Sequence, residues 1–145
     1  MPLFKTRLVP LLLLFAAMAV RAGEVQVELS GLQDAEGDLY ITVYDSEDSW
    51  LGEERVMVQK VVIEEARTDG VVFSVLELPP GEYALTIYHD TNGSGDLDTN
   101  FIGIPKEPVA MSNNAKAKFG PPKYDDAKFT LGDEPLVQRM SMAEI

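Results

Sequence analysis

The chain has 145 residues, 24 acidic side chains against 12 basic ones, a formal net charge of −12 and no cysteine. This length allows one domain, and the acidic balance argues against nucleic acid as a partner, because phosphate binding needs a basic surface. The lack of cysteine excludes disulfides, thiol nucleophiles and thiolate zinc sites, and a single histidine cannot build a multi-histidine metal centre.

Residues 1–22 have the pattern of a signal peptide. Lys5 and Arg7 precede an apolar run that ends at Val20-Arg21-Ala22, a plausible peptidase site. The apolar run is shorter than a typical membrane-spanning helix. An uncleaved membrane anchor is the alternative interpretation. We therefore expect a periplasmic or secreted domain of residues 23–145 with no membrane span after cleavage. Loss of the three basic residues would change the net charge from −12 to −15. Such an acidic surface favours cations or basic partners, or it serves solubility alone.

Alternating apolar and polar residues predict the first two strands. Residues 24–30 place Val25, Val27 and Leu29 on one face, and residues 39–44 repeat the pattern. The loop that follows holds Trp50, the only tryptophan, which we expect to close one end of a core rather than to stack on a ligand.

The segment 53–63 fits more than one secondary structure. Residues 56–63 are rich in β-branched side chains, but their apolar spacing also suits a helical turn, and a short helix could precede residue 56. We interpret 56–63 as a strand, because Asp69-Gly70 would then close a hairpin into a strand at 71–76.

A proline-rich corner precedes the most regular strand. Leu78-Pro79-Pro80-Gly81 cannot continue a central strand, and the residues from 83 to 90 then alternate. A tyrosine at position 83, just after such a corner, is similar to the tyrosine corner of immunoglobulin-like sandwiches.

Residues 91–125 lack sustained periodicity, and such a long connection in a compact domain indicates function, a bound ion or a misread element. Its apolar residues, which we expect to pack against the domain, are Leu97, Phe101, Ile102, Ile104, Met111 and Phe119. Two further strands are predicted at 127–131 and 136–142. About seven strands with short turns predict an all-β fold, an immunoglobulin-like or prealbumin-like β-sandwich with one long ordered loop.

The start of this connection has the spacing of a calcium loop. With Asp90 at position one, oxygen-bearing residues fall on alternate positions and Gly95 falls at position six. The candidate ligands are Asp90, Asn92, Ser94, Asp96 and Asp98. Phe101 replaces the glutamate of position twelve and no helix precedes the loop, so it is not an EF-hand; Asn100, Glu107 or backbone carbonyls would complete the shell. The same residue types also form turns and cap backbone groups without any ion.

The single histidine raises a catalytic alternative. His89 beside Asp90 could form the carboxylate–histidine pair of a hydrolase. Neighbours in a strand point to opposite faces, however, which favours a structural histidine. Ser94 is not in a nucleophile elbow, because the outer glycines of that motif are missing.

A run of motifs from Leu78 to Leu131 resembles one bacterial family, domain of unknown function 2141. The motifs are Leu78-Pro79-Pro80-Gly81-Glu82-Tyr83-Ala84, His89-Asp90-Thr91-Asn92-Gly93, Gly95-Asp96-Leu97-Asp98-Thr99-Asn100, Gly103-Ile104-Pro105-Lys106-Glu107-Pro108, Ser112-Asn113-Asn114, Phe119-Gly120-Pro121-Pro122 and Asp126-Ala127. The resemblance implies a small exported, periplasmic β-domain and no established activity. Ala110 and Met111 depart from the glycine and aromatic residue that the family tends to carry there.

Three functional hypotheses remain open on the sequence. The first is a non-enzymatic binding or structural module of the envelope, with calcium in the 90–98 loop and an envelope protein or ligand as its partner. The second is a hydrolase with its site near His89 and Asp90. The third is a purely architectural motif run, whose oxygens turn to backbone amides and which holds no ligand.

Overall fold

The computed structural model describes residues 22–143, so the predicted signal peptide lies outside the described residues except for Ala22. Within that range nine strands form two sheets: β1 (Gly23–Ser30), β2 (Asp38–Tyr44), β3 (Met57–Val62), β4 (Arg67–Thr68), β5 (Val71–Leu78), β6 (Gly81–Asp90), β7 (Val109–Met111), β8 (Phe129–Leu131) and β9 (Leu136–Ser141). Two single helical turns, α1 (Ile63–Ala66) and α2 (Tyr124–Ala127), and a 3-10 turn (Ser112–Asn114) complete the described elements. None of the helices in this range is long and apolar enough to cross a membrane.

The two sheets differ in how their strands pair. The first sheet has the order β4-β5-β1-β9, in which β1 pairs antiparallel with β5 and parallel with β9. The second sheet has the order β3-β2-β6-β7, and β8 also pairs with β6. All pairs of the second sheet are antiparallel. The long strand β6 is therefore shared by three shorter strands and carries the chain up to the candidate site.

One apolar core lies between the sheets. It contains inward residues of both, such as Val27 and Leu76 from the first sheet and Ile41 and Ile87 from the second, all at most 2% exposed. Alternation along each strand puts these residues on one face, as the sequence pattern predicts. The all-β, two-sheet prediction is confirmed.

The Asp69-Gly70 turn is present, but it does not join the strands that we expected. Both residues have positive φ angles of 52° and 83°, as a two-residue type I′ hairpin requires, and the turn joins β4 to β5. The hairpin from 56–63 into 71–76 is wrong, because β3 pairs with β2 in the other sheet. The helical turn α1 follows this strand rather than preceding residue 56, and its fully buried Ile63 lies in the core as the chain crosses between sheets.

The sequence analysis does not predict β4 and β7, because these strands have only two and three residues. The predicted strand at 127–131 begins only at Phe129, since α2 occupies the residues before it. Alternation cannot be recognised over so few residues: β4 is defined by its pairing with β5 across the Asp69-Gly70 turn, and β7 by its pairing with the more distant β6.

Two aromatic predictions have different outcomes. The Tyr83 hydroxyl donates a hydrogen bond back to the Pro79 carbonyl at 2.7 Å, which agrees with the resemblance to a tyrosine corner. Trp50 does not close the main core. Its ring instead contacts Tyr44 and Tyr124, and its indole N–H donates to the Pro122 carbonyl at 2.8 Å, in a second, smaller apolar cluster.

The long connection packs less apolar surface than we expected. Met111 and Leu97 are partly buried, but Phe101, Ile102, Ile104 and Phe119 are exposed. The prediction that these four side chains pack against the domain is wrong, and their exposure needs another explanation.

Candidate functional site

The candidate calcium loop, residues 90–98, begins where β6 ends. Asp90 is the last residue of that strand and pairs with Asp38 of β2. Two residues before Asp90 and on the same face of the strand, Tyr88 stacks on Tyr40 with 5.1 Å between ring centroids. The Tyr88 hydroxyl donates to the Gly95 carbonyl at 2.8 Å, which holds the loop against the outer face of the second sheet.

The Asp90 carboxylate closes the first turn of the loop. The side chain is only 2% exposed. Its Oδ1 accepts a hydrogen bond from the Ser94 amide at 3.1 Å, and its Oδ2 accepts one from the Gly95 amide at 2.8 Å. Gly95 has a φ of +82°, a conformation that favours glycine. Asp90 therefore acts as a cap of the local backbone, as carboxylates in tight turns commonly do.

The other predicted ligands bond mainly to one another or to the nearby backbone. The Asn92 side-chain oxygen accepts from the Ser94 amide at 3.0 Å, and its side-chain nitrogen donates to the Asp98 carboxylate. The Ser94 hydroxyl donates to the Asp96 carbonyl at 2.9 Å. The structure thus brings the five predicted residues into one loop, in which the side chains of Asp90, Asn92, Ser94 and Asp98 form hydrogen bonds.

Glu107 joins the two ends of the loop. Its carboxylate is 3% exposed, although it lies in an aperiodic stretch of the sequence. Oε1 accepts from the Thr91 amide at 3.0 Å and from the Thr91 hydroxyl at 3.4 Å. Oε2 accepts from the Asp98 amide at 3.1 Å. Glu107 is one of the two side chains that the spacing analysis named as completing a shell, and it does reach the loop.

The local field at the loop is negative. The pKa of Tyr88 is raised to about 12, chiefly by burial. Neighbouring Tyr40 and the carboxylates of Asp90, Asp96 and Glu107 contribute further to this rise. The nearby Lys60 ammonium contacts Asp38 at 2.7 Å, and this carboxylate raises the pKa of Lys60. Even so, residues 22–143 contain no cluster of three or more histidine, cysteine, aspartate or glutamate side chains arranged to hold a metal.

His89 and Asp90 lie on opposite faces of β6. His89 is 2% exposed and lines a cavity of about 360 Å³, together with residues 31–34, Thr91, Pro108 and the two residues that follow β9, Met142 and Ala143. Its Nε2 lies 2.6 Å from the Glu36 carbonyl oxygen, to which a protonated Nε2 donates. The His89 ring thus points to the core side of β6 and is hydrogen-bonded to the backbone there. The structure does not bring the side chains of His89 and Asp90 together as a catalytic pair.

A small apolar tip, residues 99–105, follows the loop. Thr99 and Pro105 form a bridge at its base, and the Asn100 side-chain oxygen accepts from the amides of Ile102 and Ile104, both at 3.0 Å. The Gly103 amide donates to the Asn100 carbonyl at 3.0 Å. Asn100, the second side chain proposed to complete a calcium shell, caps this turn instead. These hydrogen bonds hold the backbone of the turn, yet the Phe101 side chain is 98% exposed.

The sequence matches a family model over residues 27–138, described as an uncharacterized protein conserved in bacteria, domain of unknown function 2141. The chain belongs to this family. The matched range begins in β1 and ends in β9, and so includes the loop, the apolar tip and Glu107. No curated protein and no solved structure matches the chain.

In this member of the domain of unknown function 2141 family, the Ser112-Asn113-Asn114 motif anchors the C-terminal part of the long connection to the rest of the domain. The buried Ser112 hydroxyl accepts from the Leu85 amide at 2.9 Å and donates to the Ala127 carbonyl at 2.5 Å. Asn113 donates to the Lys128 carbonyl at 2.7 Å, and the Asn114 side-chain oxygen accepts from the Ser141 amide at 2.8 Å. Both asparagines have positive φ, at 58° and 50°. The sequence showed these residues as a motif, but not which strands they connect.

Proposed function

We propose that this member of the domain of unknown function 2141 family is a non-enzymatic binding module exported to the bacterial envelope. The basic and apolar pattern of residues 1–22 supports export. The opposed positions of His89 and Asp90 give no support to the hydrolase alternative, which needs both side chains within reach of one substrate.

The observation that carries the proposal is the apolar tip. Its backbone is fixed by Asn100 and by the bridge at its base, while Phe101, Ile102 and Ile104 are 98%, 65% and 52% exposed. Exposed apolar patches of this kind mark interaction sites in proteins that are otherwise well packed. A purely architectural connection would instead bury these side chains against the sheet.

The tip should be dispensable for folding and necessary for retention at the envelope. Replacing Phe101 and Ile102 by serine is expected to change the free energy of unfolding by less than about 0.5 kcal/mol, because both side chains are exposed. The amount of protein that sediments with the cell envelope should fall about tenfold, the loss expected when one or two apolar anchors are removed.

A matched control exists on the opposite sheet. Phe73 and Val75 on β5 are each 50% exposed, and their replacement by serine also removes one aromatic and one β-branched side chain from the surface, although less exposed area than at the tip. This control pair should leave envelope retention unchanged. Equal retention of the tip variant and the unmodified protein would contradict the proposed function.

We further propose that the 90–98 loop takes up a calcium ion, with Asp90, Asn92, Ser94, Asp96 and Asp98 as candidate ligands and Glu107 beside them. The Asp90, Asp96 and Glu107 carboxylates, which add to the effect of burial on the Tyr88 pKa, lie close together here and support a cation at this place. Each Asp90 oxygen keeps a second lone pair after accepting one amide hydrogen, and so does Glu107 Oε2, whereas Glu107 Oε1 accepts from both the amide and the hydroxyl of Thr91. Such a site would be weak, in the range of extracellular modules.

Calcium should raise the melting temperature of the protein. At calcium about tenfold above a millimolar dissociation constant, the expected gain is about 1.4 kcal/mol, equivalent to about 5 °C for a domain of this size. Asp98→Asn should abolish the gain while leaving the melting temperature in chelator nearly unchanged. Asp133→Asn, which removes the same charge from an exposed turn, should keep the gain. Identical melts in calcium and chelator would exclude the ion.

A further inference from the structure

The cavity beside His89 lies at one end of the sandwich, where residues from both sheets line it. Its inner wall includes Leu32, His89 and Met142, each at most 7% exposed. The segment that follows β9 closes one side, because the Ala143 amide donates to the Val109 carbonyl of β7 at 2.9 Å. The cavity volume of about 360 Å³ is within the range of small-molecule sites in proteins.

One nitrogen of the His89 ring is committed to the backbone and the other is not. Nε2 lies 2.6 Å from the Glu36 carbonyl oxygen, which can only accept, so Nε2 carries a proton. The Nε2–Cδ2 edge of the ring also lies against Gly37. Nδ1 is on the other side of the ring and forms no hydrogen bond with any described residue. In a neutral ring it is therefore an unused acceptor, on a side chain that is only 2% exposed and lines the cavity.

The rest of the cavity wall favours a cation with an apolar body. The Asp34 carboxylate stands on the exposed rim, where it accepts from the Glu36 amide at 3.1 Å and forms no ion pair with any described residue. Leu32, Pro108 and Met142 supply apolar surface. Within the described range no lysine or arginine lines the cavity, and the chain has a net charge of −12, so an anion would be repelled.

We propose that this cavity binds a small amine. The amino group donates a hydrogen bond to His89 Nδ1 and is attracted by the Asp34 carboxylate, and the apolar body packs against the apolar part of the wall. The amine is bound and not converted, because Thr91 carries the only hydroxyl of the described lining and donates it to Glu107 at 3.4 Å. The cavity is separate from the apolar tip, so the inference goes beyond the proposed function and does not depend on it.

An NMR titration with 2-phenylethylamine tests this proposal. The probe is added to residues 23–145, which contain every described strand, at about pH 8, where the imidazole group of model peptides is neutral. His89 is the only histidine, so the nitrogen-15 resonances of its ring need no further assignment. We expect the Nδ1 resonance to shift until it saturates, with a dissociation constant of about a millimolar, as befits a probe of about ten non-hydrogen atoms.

Two further probes separate the hydrogen bond from the charge. 2-Phenylethanol keeps the apolar body and one donor but has no charge, and we expect it to shift the Nδ1 resonance with about threefold weaker affinity. Phenylacetate keeps the ring but is an anion without a donor, and we expect it to leave the resonance unchanged.

Two variants with matched controls locate the site. Asp34→Asn keeps the acceptor for the Glu36 amide and should weaken the amine about threefold without affecting the alcohol, whereas Asp133→Asn in an exposed turn should affect neither. Ala143→Phe places a ring at the cavity wall and should abolish binding of both probes. Ala35→Phe, at an exposed position near the rim but outside the lining, should preserve it.

Each outcome decides for or against the amine site. Phenylacetate binding as tightly as the amine would overturn the ligand class. An Nδ1 resonance that neither the amine nor the alcohol shifts, or binding that survives Ala143→Phe, would overturn the site and leave a cavity that holds water alone. None of these results involves the apolar tip, so the proposed function is decided separately by envelope retention.

Discussion

Replacing Glu107 by alanine is expected to lower the free energy of unfolding by about 3 kcal/mol. The Glu107 carboxylate accepts three hydrogen bonds, two from Thr91 and one from Asp98, and so connects both ends of the 90–98 loop. Alanine leaves these donors without their charged acceptor and leaves a gap beneath the loop. Urea unfolding measures the loss, and faster hydrogen exchange at the Thr91 and Asp98 amides locates it.

Glu107→Gln is the informative companion variant. It keeps the shape of the side chain and one acceptor oxygen, but its amide group turns a donor toward one of the two backbone amides. We expect about half of the loss seen with alanine. Glu134→Ala in the exposed turn before β9 controls for the change in net charge and should be nearly neutral. A Glu107→Ala loss no larger than that of Glu134→Ala would show that the buried carboxylate does not hold the loop.

Replacing Gly37 by alanine is the second change with a large expected effect, again about 3 kcal/mol. Gly37 has a φ of +91°, and a Cβ atom there would lie 2.7 Å from the Asp90 carbonyl oxygen and 3.1 Å from His89 Nε2. The clash is with backbone, which cannot move without disturbing the pairing of β2 and β6. Thermal and urea unfolding should both report the loss.

Gly70→Ala separates strain from collision in this prediction. Gly70 also has a positive φ, of 83°, but a Cβ atom there would have no neighbour within 4 Å. This variant should lose only about 1 kcal/mol, the cost of an unfavourable backbone conformation. Equal losses at both glycines would mean that the contact with Asp90 and His89 has no energetic weight.

Local pattern predicted most of the strands. β1, β2, β5 and β6 each have seven to ten residues with one buried face, so alternation identifies them from the sequence alone. The Asp69-Gly70 turn and the Tyr83 corner are equally local, because each depends on residues no more than four apart. The opposed directions of His89 and Asp90 also follow from strand geometry without any tertiary information.

Tertiary contacts decided what the sequence could not show. β3 pairs with β2 because of how the two sheets form, whereas the nearby Asp69-Gly70 turn led us to predict that it pairs with β5. Glu107 stands in an aperiodic segment, so only the fold reveals that it binds amides sixteen and nine residues away. Phe101 and Phe119 were expected to be buried because apolar residues usually are, and hydrophobicity alone cannot distinguish a core residue from a contact surface.

The parallel pairing of β1 with β9 affects the order in which the protein can fold. β1 is an inner strand of its sheet, and one of its two neighbours ends only at Ser141. Until that residue is available, one edge of β1 has no partner, and pairing of such distant segments is slow to form. The nascent chain therefore cannot complete this sheet until residues 136–141 have been synthesised.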